Sequence, residues 1–303
     1  MKAGFIGLGK MGAQMVQRLL KDGHDIVVLD VNQEAVASMV DVGATAATDT
    51  ADMASQLGTG AVVWVMIPEQ FVEDELHKIV DNFATGTVVV DGGNSDYRNT
   101  IAHAAALNDK GISLVDVGTS GGVHGLANGF SMMVGGDKQS VDQVAPLIES
   151  LAQKDGWGHF GPVGTGHFTK MVHNGIEYGA MQAYAEGYRI IKEGPFENVD
   201  LGKLADVWQH GSINESFLNG LIAGMLKEDG ELSGAEGYVH ESGEARWTLE
   251  TAKELGIDTP VIQAAFNVRL ASQQGDINYA TKFLAQLRNE FGGHAVNKQA
   301  DKK

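Results

Sequence analysis

The sequence predicts an α/β fold, in which a Rossmann-type, doubly wound parallel sheet is followed by an all-α C-terminal domain. Two observations support this prediction. The first third of the chain alternates short apolar runs with helical patterns, which is typical of βαβ units. After about residue 165 the helical patterns continue, and no further apolar strand run appears. We therefore expect a sheet domain over residues 1–165 and an all-helical domain over residues 166–303.

The predicted strands are rich in β-branched residues and are bounded by glycine and aspartate. Their apolar residues are nearly continuous rather than alternating, which indicates strands buried on both faces of a parallel sheet. They are KAGFIGL (2–8), DIVVLDV (25–31), GAVVWVMI (60–67), GTVVVDGG (86–93) and GISLVDVG (111–118), with a further candidate in FSMMVGGD (130–137). The β–α–β order predicts right-handed crossovers, and the helical stretches between the strands end at glycine.

The second half of the chain is predicted to be helical throughout. One long helix should begin between Thr165 and His167 and end at the EGP of residues 193–195. Five more helical patterns follow, in DLGKLADVWQHG, SFLNGLIAGMLKE, EARWTLETAKELG, PVIQAAFNVRLAS and NYATKFLAQLRNEFG. Because no repeat or low-complexity linker intervenes, we expect the long helix itself to join the two domains.

The composition argues against several classes of protein. With 43% hydrophobic residues the chain can bury a sizeable core, and the lack of cysteine excludes disulfides and thiolate chemistry. That lack also fits a reducing, cytoplasmic setting. No apolar run reaches the length of a membrane span, and the N-terminus lacks the features of a signal peptide. The net charge of −17 argues against a nucleic-acid partner.

A dinucleotide-binding fingerprint, GLGKMG, follows the first predicted strand and opens the first helix. Its three glycines have the G-x-G-x-x-G spacing that allows a tight turn, close approach of a pyrophosphate and close helix–strand packing. The helix N-terminus would present N–H groups to the phosphates. The predicted cofactor-binding residues here are Gly7, Leu8, Gly9, Lys10, Met11 and Gly12. The alternative is a glycine-rich turn in an α/β protein of another kind.

Asp30 ends the second predicted strand, 18 residues after Gly12. A carboxylate at this place can accept the ribose hydroxyls of the adenosine and would repel a 2′-phosphate. The neighbouring DVNQEA contains no arginine to receive such a phosphate. We therefore predict NAD rather than NADP as the cofactor. The alternative is that Asp30 only caps the end of its strand.

A polar stripe marks the start of the long helix. Lys170, His173, Asn174 and Glu177 have the i, i+3, i+4, i+7 spacing of one helix face, and Tyr178 lies beside them. A lysine with a pKa lowered by burial can act as a base, and a glutamate with a raised pKa can act as an acid. The stripe therefore predicts a reactive wall, with glycines that let a ligand or another backbone come close. The alternative is a solvated face. No standard ligand spacing surrounds His173, so we predict no metal site.

Seven segments carry a resemblance to a known family: GLGKMG (7–12), DGGNSDYR (91–98), VGTSGGVHG (117–125), GHFTKMVHNGIEY (166–178), ARWT (245–248), FNVRLAS (266–272) and RNEFGGH (288–294). Together they resemble the decarboxylating 6-phosphogluconate dehydrogenases of the short, NAD-preferring type, within the β-hydroxyacid dehydrogenase superfamily. Related superfamily members share the fingerprint and the lysine but do not usually carry HNGIEY. The long type of the family has a roughly duplicated helical domain that this chain lacks.

The resemblance implies a reaction: NAD-dependent oxidative decarboxylation of 6-phospho-D-gluconate to ribulose 5-phosphate and CO2, as in the pentose phosphate pathway and gluconate utilisation. It implies that Lys170 removes the proton of the C3 hydroxyl and later donates to the same oxygen. It also implies that Glu177 protonates C1 of the enediol. The keto group takes up the electrons, so the resemblance implies no metal.

The resemblance also implies binding residues. The cofactor would be lined by Met66, Ile67, Pro68 and Asn94. The substrate would be held by Asn94, Ser120, Gly121, Gly122, His173, Asn174, Tyr178, Arg246, Arg269, Arg288 and His294. Arg246 stands where the long type has lysine, and arginine can still bind phosphate. Two alternatives stay open: Asn94 as a plain turn residue, and each arginine as a surface charge.

A shared site is a further implication. In the family, the segment RNEFGGH reaches into the active site of the neighbouring subunit, and Arg288 and His294 keep the family's spacing. We therefore predict a homodimer or homotetramer in which each site is completed in trans. The helical domain would then bind the substrate and form the dimer.

Two other functions remain compatible with the sequence. A different β-hydroxyacid dehydrogenase, acting for example on 3-hydroxyisobutyrate without decarboxylation, would need the fingerprint and Lys170 but not Glu177 or the arginines. A non-catalytic NAD-binding regulator would need no acid–base pair at all. An assay for CO2 release from 6-phosphogluconate separates a decarboxylating enzyme from the first of these alternatives. Turnover that persists in Lys170→Ala would contradict the catalytic assignment.

Overall fold

The structure, a computed structural model, describes residues 1–296. The chain divides into two compact units, of which the first is Met1–Met171 and the second begins at Val172. The break lies within one long helix, Thr165–Lys192 (α8), as expected for a joining helix. The domain boundary proposed between residues 165 and 166 stays a prediction that limited proteolysis can check.

The first unit is built on one eight-stranded sheet. Its strands are Lys2–Ile6 (β1), Asp25–Leu29 (β2), Thr45–Ala46 (β3), Val62–Val65 (β4), Val88–Asp91 (β5), Ser113–Ser120 (β6), Phe130–Gly135 (β7) and Ala152–Gly161 (β8). Their spatial order is β3-β2-β1-β4-β5-β6-β7-β8. All neighbouring strands are parallel except β6 and β7. The chain reverses direction across the sheet next to β1, so β1 and β4 form the switch point at which such folds bind ligands.

Helices cover both faces of this sheet. They are Lys10–Lys21 (α1), Gln33–Val40 (α2), Thr50–Leu57 (α3), Val72–Asn82 (α4), Tyr97–Asn108 (α5), Gly125–Asn128 (α6) and Lys138–Leu151 (α7), with 3-10 turns at Glu69–Phe71 and Gly122–His124. One core packs α1, α2 and α7 against the strands, and a second packs α3, α4 and α5 against the opposite face. The fully apolar strands follow from this double covering, since both of their faces are buried.

Sequence patterns identified the central strands but missed two at the edges. β3 has only two residues and both are exposed. β8, with the sequence AQKDGWGHFG, has no apolar run because most of its length is partly or fully exposed. The candidate strand β7 is present, but it pairs antiparallel with β6. The sheet is therefore mostly parallel rather than wholly so.

The second unit contains only helices within the residues described. After α8 these are Leu201–Trp208 (α9), Phe217–Glu228 (α10), Glu244–Glu254 (α11), Pro260–Gln273 (α12) and Tyr279–Gly292 (α13), each matching a predicted helical stretch, with α12 extending one residue beyond its stretch. A core containing Tyr188 and Phe283, whose rings stack at 5.2 Å, joins α8, α9, α10 and α13. A smaller cluster around Tyr178 joins α8, α11 and α12.

Candidate active site

The glycine-rich loop between β1 and α1 has little room for side chains except at one position. Gly7 has a φ of +100°, and a Cβ there would lie 2.3 Å from the carbonyl oxygen of Met66. A Cβ at Gly12 would lie 2.1 Å from the carbonyl oxygen of Gly7. A Cβ at Gly9, by contrast, would meet no atom within 4 Å. The loop is thus closed toward the protein and open at Gly9, which fits a pyrophosphate approaching the backbone.

The start of α1 is suited to an anion. Gly9 is the N-cap and provides no side-chain cap, and the first turn contains no acidic residue. Lys10 is exposed, Met11 is half-buried, and Leu8 is buried beneath the loop. Among the predicted cofactor residues, Leu8 and Gly12 therefore shape the loop, whereas Gly9 and Lys10 face outward.

Asp30 follows β2 and is hydrogen-bonded to the loop. Its Oδ2 accepts the backbone N–H of Leu8 at 2.5 Å, and its Oδ1 accepts that of Asn32 at 2.7 Å. The capping role considered as an alternative is therefore present. It does not exclude ribose binding, because each carboxylate oxygen can accept more than one hydrogen bond.

The end of β4 continues into residues 66–68 beside the loop. The backbone N–H of Met66 donates to Ile6 O at 2.8 Å, which extends the sheet by one residue. Met66 and Ile67 are half-buried, and Pro68 is exposed at the start of a 3-10 turn. These three predicted cofactor residues thus lie at the carboxyl edge of the sheet, next to Gly7.

Asn94 links the ends of β5 and β6. Its φ of +57° places it in the left-handed region, as a turn asparagine would be. Its Nδ2 donates to Thr119 O at 3.1 Å, and its Oδ1 accepts the N–H of Thr119 at 2.8 Å. The nitrogen and the oxygen of the Asn94 side-chain amide therefore both bind Thr119 at the sheet edge. Contact of Asn94 with cofactor or substrate stays a prediction.

Residues 120–122 form the loop that follows β6. Ser120 ends the strand, and Gly121 and Gly122 have φ values of +130° and +52°. All three are half-buried, and a Cβ at Gly121 would lie 3.2 Å from the Phe130 ring. The backbone conformation needs glycine at both positions, and the loop lies at the same sheet edge as Asn94.

Lys170 is buried on α8 against β6, with 5% of its surface exposed. A Cβ at Gly118 would lie 2.3 Å from the Cβ of Lys170, so only glycine admits the lysine at this point of the strand. Gly118 precedes Thr119, the partner of Asn94. The lysine therefore lies at the same sheet edge as Asn94 and the loop after β6.

Two residues that sequence reasoning did not select fix the start of α8. The fully buried carboxylate of Asp116 accepts the N–H of Gly164 at 2.7 Å and that of His167 at 2.8 Å. The His167 ring contacts Thr100 Oγ1 at 2.8 Å and the backbone oxygen of Asp91 at 3.1 Å. The sequence signal for Asp116 was an aspartate inside an apolar strand. A carboxylate is buried only where hydrogen-bond donors or an opposite charge stabilise it.

In the second unit the polar stripe is connected by hydrogen bonds. The Nδ1 of His173 lies 2.9 Å from Asn174 Oδ1 and 3.9 Å from a carboxylate oxygen of Glu177. The Nδ2 of Asn174 donates to Glu244 Oε1 at 3.1 Å. Because that assigns Oδ1 of Asn174 as an acceptor, His173 is protonated on Nδ1.

Gly175 and Gly179 of this helix serve packing rather than ligand access. A Cβ at Gly175 would lie 3.0 Å from Thr248 on α11, and one at Gly179 would lie 3.2 Å from Val261 on α12. The interpretation that they open the helix to a ligand or another backbone is corrected here. They admit side chains of two neighbouring helices.

Arg269 and Arg288 are buried in the same cluster. The Cζ of Arg269 lies 3.2 Å from the centroid of the Tyr178 ring, a cation–π contact. Burial lowers the pKa of Arg269 to about 10 and lowers the pKa of Arg288, while Glu177 and Glu244 oppose both shifts. Because arginine stays cationic in proteins at neutral pH, the cluster contains two buried positive charges.

Neither of these two cations forms a salt bridge with a carboxylate within residues 1–296. The hydrogen bonds of Arg269 are long ones, to His240 O at 3.5 Å and to Met181 Sδ at 3.8 Å. A buried guanidinium without close acceptors is prepared to bind an anion.

The remaining predicted substrate residues lie elsewhere on the surface. Arg246 is exposed on α11, and its guanidinium pairs with the carboxylate of Glu241. His294 is exposed beyond α13, and its backbone oxygen accepts from Asn289 at 2.7 Å. Arg288 is buried within its own unit and interacts electrostatically with Tyr178, and the sharing of sites between subunits that the resemblance implies stays a prediction.

Residues 1–296 contain no group of three or more histidine and carboxylate side chains positioned to hold a metal ion. None of the helices in that range has the length and hydropathy needed to cross a bilayer.

The sheet and the open glycine loop together define a dinucleotide-binding protein. Residues 2–161 match the profile of the NAD binding domain of 6-phosphogluconate dehydrogenase. Residues 166–303 match that of the 6-phosphogluconate dehydrogenase C-terminal domain. The chain belongs to the 6-phosphogluconate dehydrogenase family.

Individual relatives agree with this membership. The chain is 40% identical over 299 residues to YqeC of Bacillus subtilis, provisionally named a 6-phosphogluconate dehydrogenase, covering 99% of this chain and all of that one. It is 37% identical over 304 residues to the NAD(+)-dependent, decarboxylating enzyme of Haloferax volcanii, again covering 99% of this chain and all of that protein. Among solved structures, it matches Plasmodium falciparum 6-phosphogluconate dehydrogenase with a TM-score of 0.82 and 26% identity, over 100% of this chain and 67% of the other.

Proposed function

We propose that the protein catalyses oxidative decarboxylation of 6-phospho-D-gluconate to ribulose 5-phosphate and CO2, with NAD as oxidant. The observation that carries this proposal is a pair of buried arginines, Arg269 and Arg288, that form no salt bridge within residues 1–296. A substrate with both a carboxylate and a phosphate supplies the anions that such cations need. The complexes of the Plasmodium enzyme with NADP+ and with 6-phosphogluconate support the same substrate.

The chemistry follows from the residues of α8. When bound, the nicotinamide accepts the hydride from C3. Lys170 takes the proton of the C3 hydroxyl, which leaves a 3-keto acid. As the carboxylate leaves as CO2, its bonding electrons move onto the C3 oxygen, and protonated Lys170 donates to that oxygen. Glu177 then protonates the carbon that becomes C1 of ribulose 5-phosphate, while Lys170 recovers the proton from the oxygen.

The other predicted residues have binding roles in this proposal. Asn94 and the loop of residues 120–122 lie at the sheet edge beside Lys170, where they can receive the reacting end of the substrate. His173, Asn174 and Tyr178 belong to the arginine cluster of the second unit and would contact substrate hydroxyls or phosphate. Arg246 and His294 remain candidates for the phosphate.

NAD is proposed over NADP because of Asp30. Its carboxylate is held by Leu8 and Asn32 next to the glycine loop, where a 2′-phosphate would meet a negative charge. The name of the Haloferax relative agrees with this preference. Measuring kcat/KM with each cofactor tests it, and a higher value for NADP would overturn the assignment.

A homo-oligomer is proposed as well, but with Arg288 acting in its own chain. Mixed oligomers of Lys170→Ala and Arg288→Ala chains then have no intact site, because each chain lacks one of its own residues. We expect no recovery of activity in verified mixed oligomers. Recovery toward a quarter or more of wild-type activity would instead place Arg288 in the partner's site.

One coupled assay tests the whole proposal. With 6-phosphogluconate and NAD, NADH and CO2 should appear in equal amounts. NADH without CO2 would indicate a non-decarboxylating β-hydroxyacid dehydrogenase. If neither product appeared, the proposal would be overturned. Lys170→Ala should abolish both products, and Glu254→Gln, an exposed change on α11, should leave both unchanged.

A further inference from the structure

Glu244 is a buried carboxylate that the mechanism above does not use. It is the first residue of α11, and 8% of its surface is exposed. Its Oε1 accepts from Asn174, whereas its Oε2 is buried and has no hydrogen-bond partner within residues 1–296. Leaving such an oxygen unsatisfied costs free energy, so a ligand donor is the expected partner.

The unsatisfied atoms around Glu244 belong to one cluster. Tyr178 Oη and His240 Nε2 are likewise buried without a partner among the described residues. Tyr178 stacks on Arg269, and the backbone oxygen of His240 accepts from the same guanidinium. Burial, followed by the charge of Arg288, lowers the pKa of His240, so its ring is neutral at pH 7. These polar atoms can bind a ligand that has several hydrogen-bonding groups.

The chemistry of the carboxylate restricts which part of the ligand it can bind. A carboxylate accepts hydrogen bonds and repels other anions, so Glu244 cannot hold the substrate's carboxylate or phosphate. Those groups suit Arg269 and Arg288. The donors that remain on a sugar-acid phosphate are its hydroxyl groups.

We propose that Glu244 is a specificity-determining residue whose Oε2 accepts a hydrogen bond from a hydroxyl of the polyol chain of the substrate. This inference rests on the proposed function and adds a residue to its binding site. It explains how the site selects a polyhydroxy acid, since a simple 3-hydroxy acid has no second hydroxyl to satisfy Oε2.

Two structural roles compete with this proposal. The first residue of α11 is in a position to cap the helix, but the hydrogen bond of Glu244 goes to Asn174 on α8, not to the start of its own helix. It could also serve only as a counter-charge for the two arginines, whose positive charge it stabilises electrostatically. The experiment must therefore separate a hydrogen bond from a charge.

The test uses Glu244→Gln and Glu244→Asp, with Glu254→Gln on the same helix as the control. Binding of 6-phosphogluconate is measured by calorimetry and KM by kinetics. Gln places a donor where the hydroxyl should donate, and Asp withdraws the oxygen while keeping the charge. Both variants should weaken binding by about 10- to 100-fold, the loss expected for a hydrogen bond to a charged group. The control and the KM for NAD should be unchanged.

Analogues of 6-phosphogluconate that each lack one hydroxyl other than that at C3 identify the contact. Wild type should bind one of them at least about 10-fold more weakly than the substrate, whereas Glu244→Gln should bind the two within about threefold of each other. A merely structural role would lower affinity for every analogue alike.

The outcomes separate this inference from the proposed function. If wild type does not oxidise 6-phosphogluconate, the proposed function fails first. If wild type is active but Glu244→Asp binds substrate like wild type, Glu244 is a counter-charge and the inference is overturned. Equal discrimination among the analogues by wild type and Glu244→Gln also overturns it. Normal NAD affinity and an unfolding midpoint above the assay temperature establish that each variant is folded.

Discussion

Gly118→Ala tests how the fold positions Lys170, the proposed catalytic base. An added Cβ would lie 2.3 Å from the Cβ of Lys170 and 2.6 Å from the backbone oxygen of Gly166. Non-bonded carbon atoms are most stable at about 3.5–4.0 Å. The methyl group must therefore displace α8 from β6 by about 1 to 2 Å, and the lysine moves with the helix.

The size of the effect follows from that displacement. A misplacement of about 1 Å can cost a factor of about 100 in rate. Overpacking a buried site costs about 1–3 kcal/mol, which lowers the unfolding midpoint by roughly 2–5 °C in a chain of this size. We therefore expect kcat to fall about 100-fold in a protein that stays folded at 25 °C, because the lysine no longer meets the C3 hydroxyl.

The assay is kcat at saturating 6-phosphogluconate and NAD, with the unfolding midpoint measured on the same preparation. Gly187→Ala is the matched control, since a Cβ at this position of α8 would meet no atom within 4 Å. This variant should keep its kcat. Its unfolding midpoint should rise slightly, because alanine stabilises a helix by about 0.5–1 kcal/mol relative to glycine. A folded Gly118→Ala enzyme with kcat within about threefold of wild type would refute the reasoning.

Three further substitutions test other parts of the site. Asp116→Asn replaces one acceptor at the start of α8 with a donor; it should cost about 1.5–3 kcal/mol and lower kcat, without changing the KM for NAD. Unchanged thermal unfolding would contradict this. Asp30→Ala should lower kcat/KM for NAD about 10- to 100-fold and yield no efficient NADP enzyme, because Leu8 loses its acceptor; NADP turnover at the wild-type NAD level would disprove the link. Arg269→Met should raise the KM for 6-phosphogluconate at least about 100-fold while the unfolding midpoint stays level or rises, since an apolar side chain replaces a buried charge. An unchanged KM for 6-phosphogluconate in this variant would show that Arg269 does not bind the substrate.

Most of the fold could be predicted because burial leaves a strong sequence pattern. The central strands are covered by helices on both faces, so their apolar runs are continuous, and every helix of the second unit coincides with a predicted stretch. The edge strands β3 and β8 carry no such pattern because they are exposed. The reversed direction of β7 depends on pairing between distant segments, which local patterns do not encode.

The site was predictable where spacing along one element decides it, as for the glycine loop and the stripe on α8. It was not predictable where contacts join distant segments. Asp116 and Glu244 each act on α8 from another element, and only the folded chain brings them there. Gly175 was misinterpreted for the same reason, since Thr248 lies 73 positions away in the sequence.

The buried arginines connect stability with function. A guanidinium removed from water without a carboxylate partner destabilises the folded chain, so Arg269 and Arg288 are retained at a cost that an apolar pair would avoid. The chain as a whole carries a net charge of −17, and at long range it repels an anionic substrate. Salt largely screens that repulsion at distances beyond about 10 Å, whereas contacts inside a buried cluster are screened much less. In the proposed site, recognition of a sugar-acid phosphate therefore depends on short-range contacts with these two cations, and the proposed role of Glu244 is to distinguish the hydroxyl groups that lie between the charged ends.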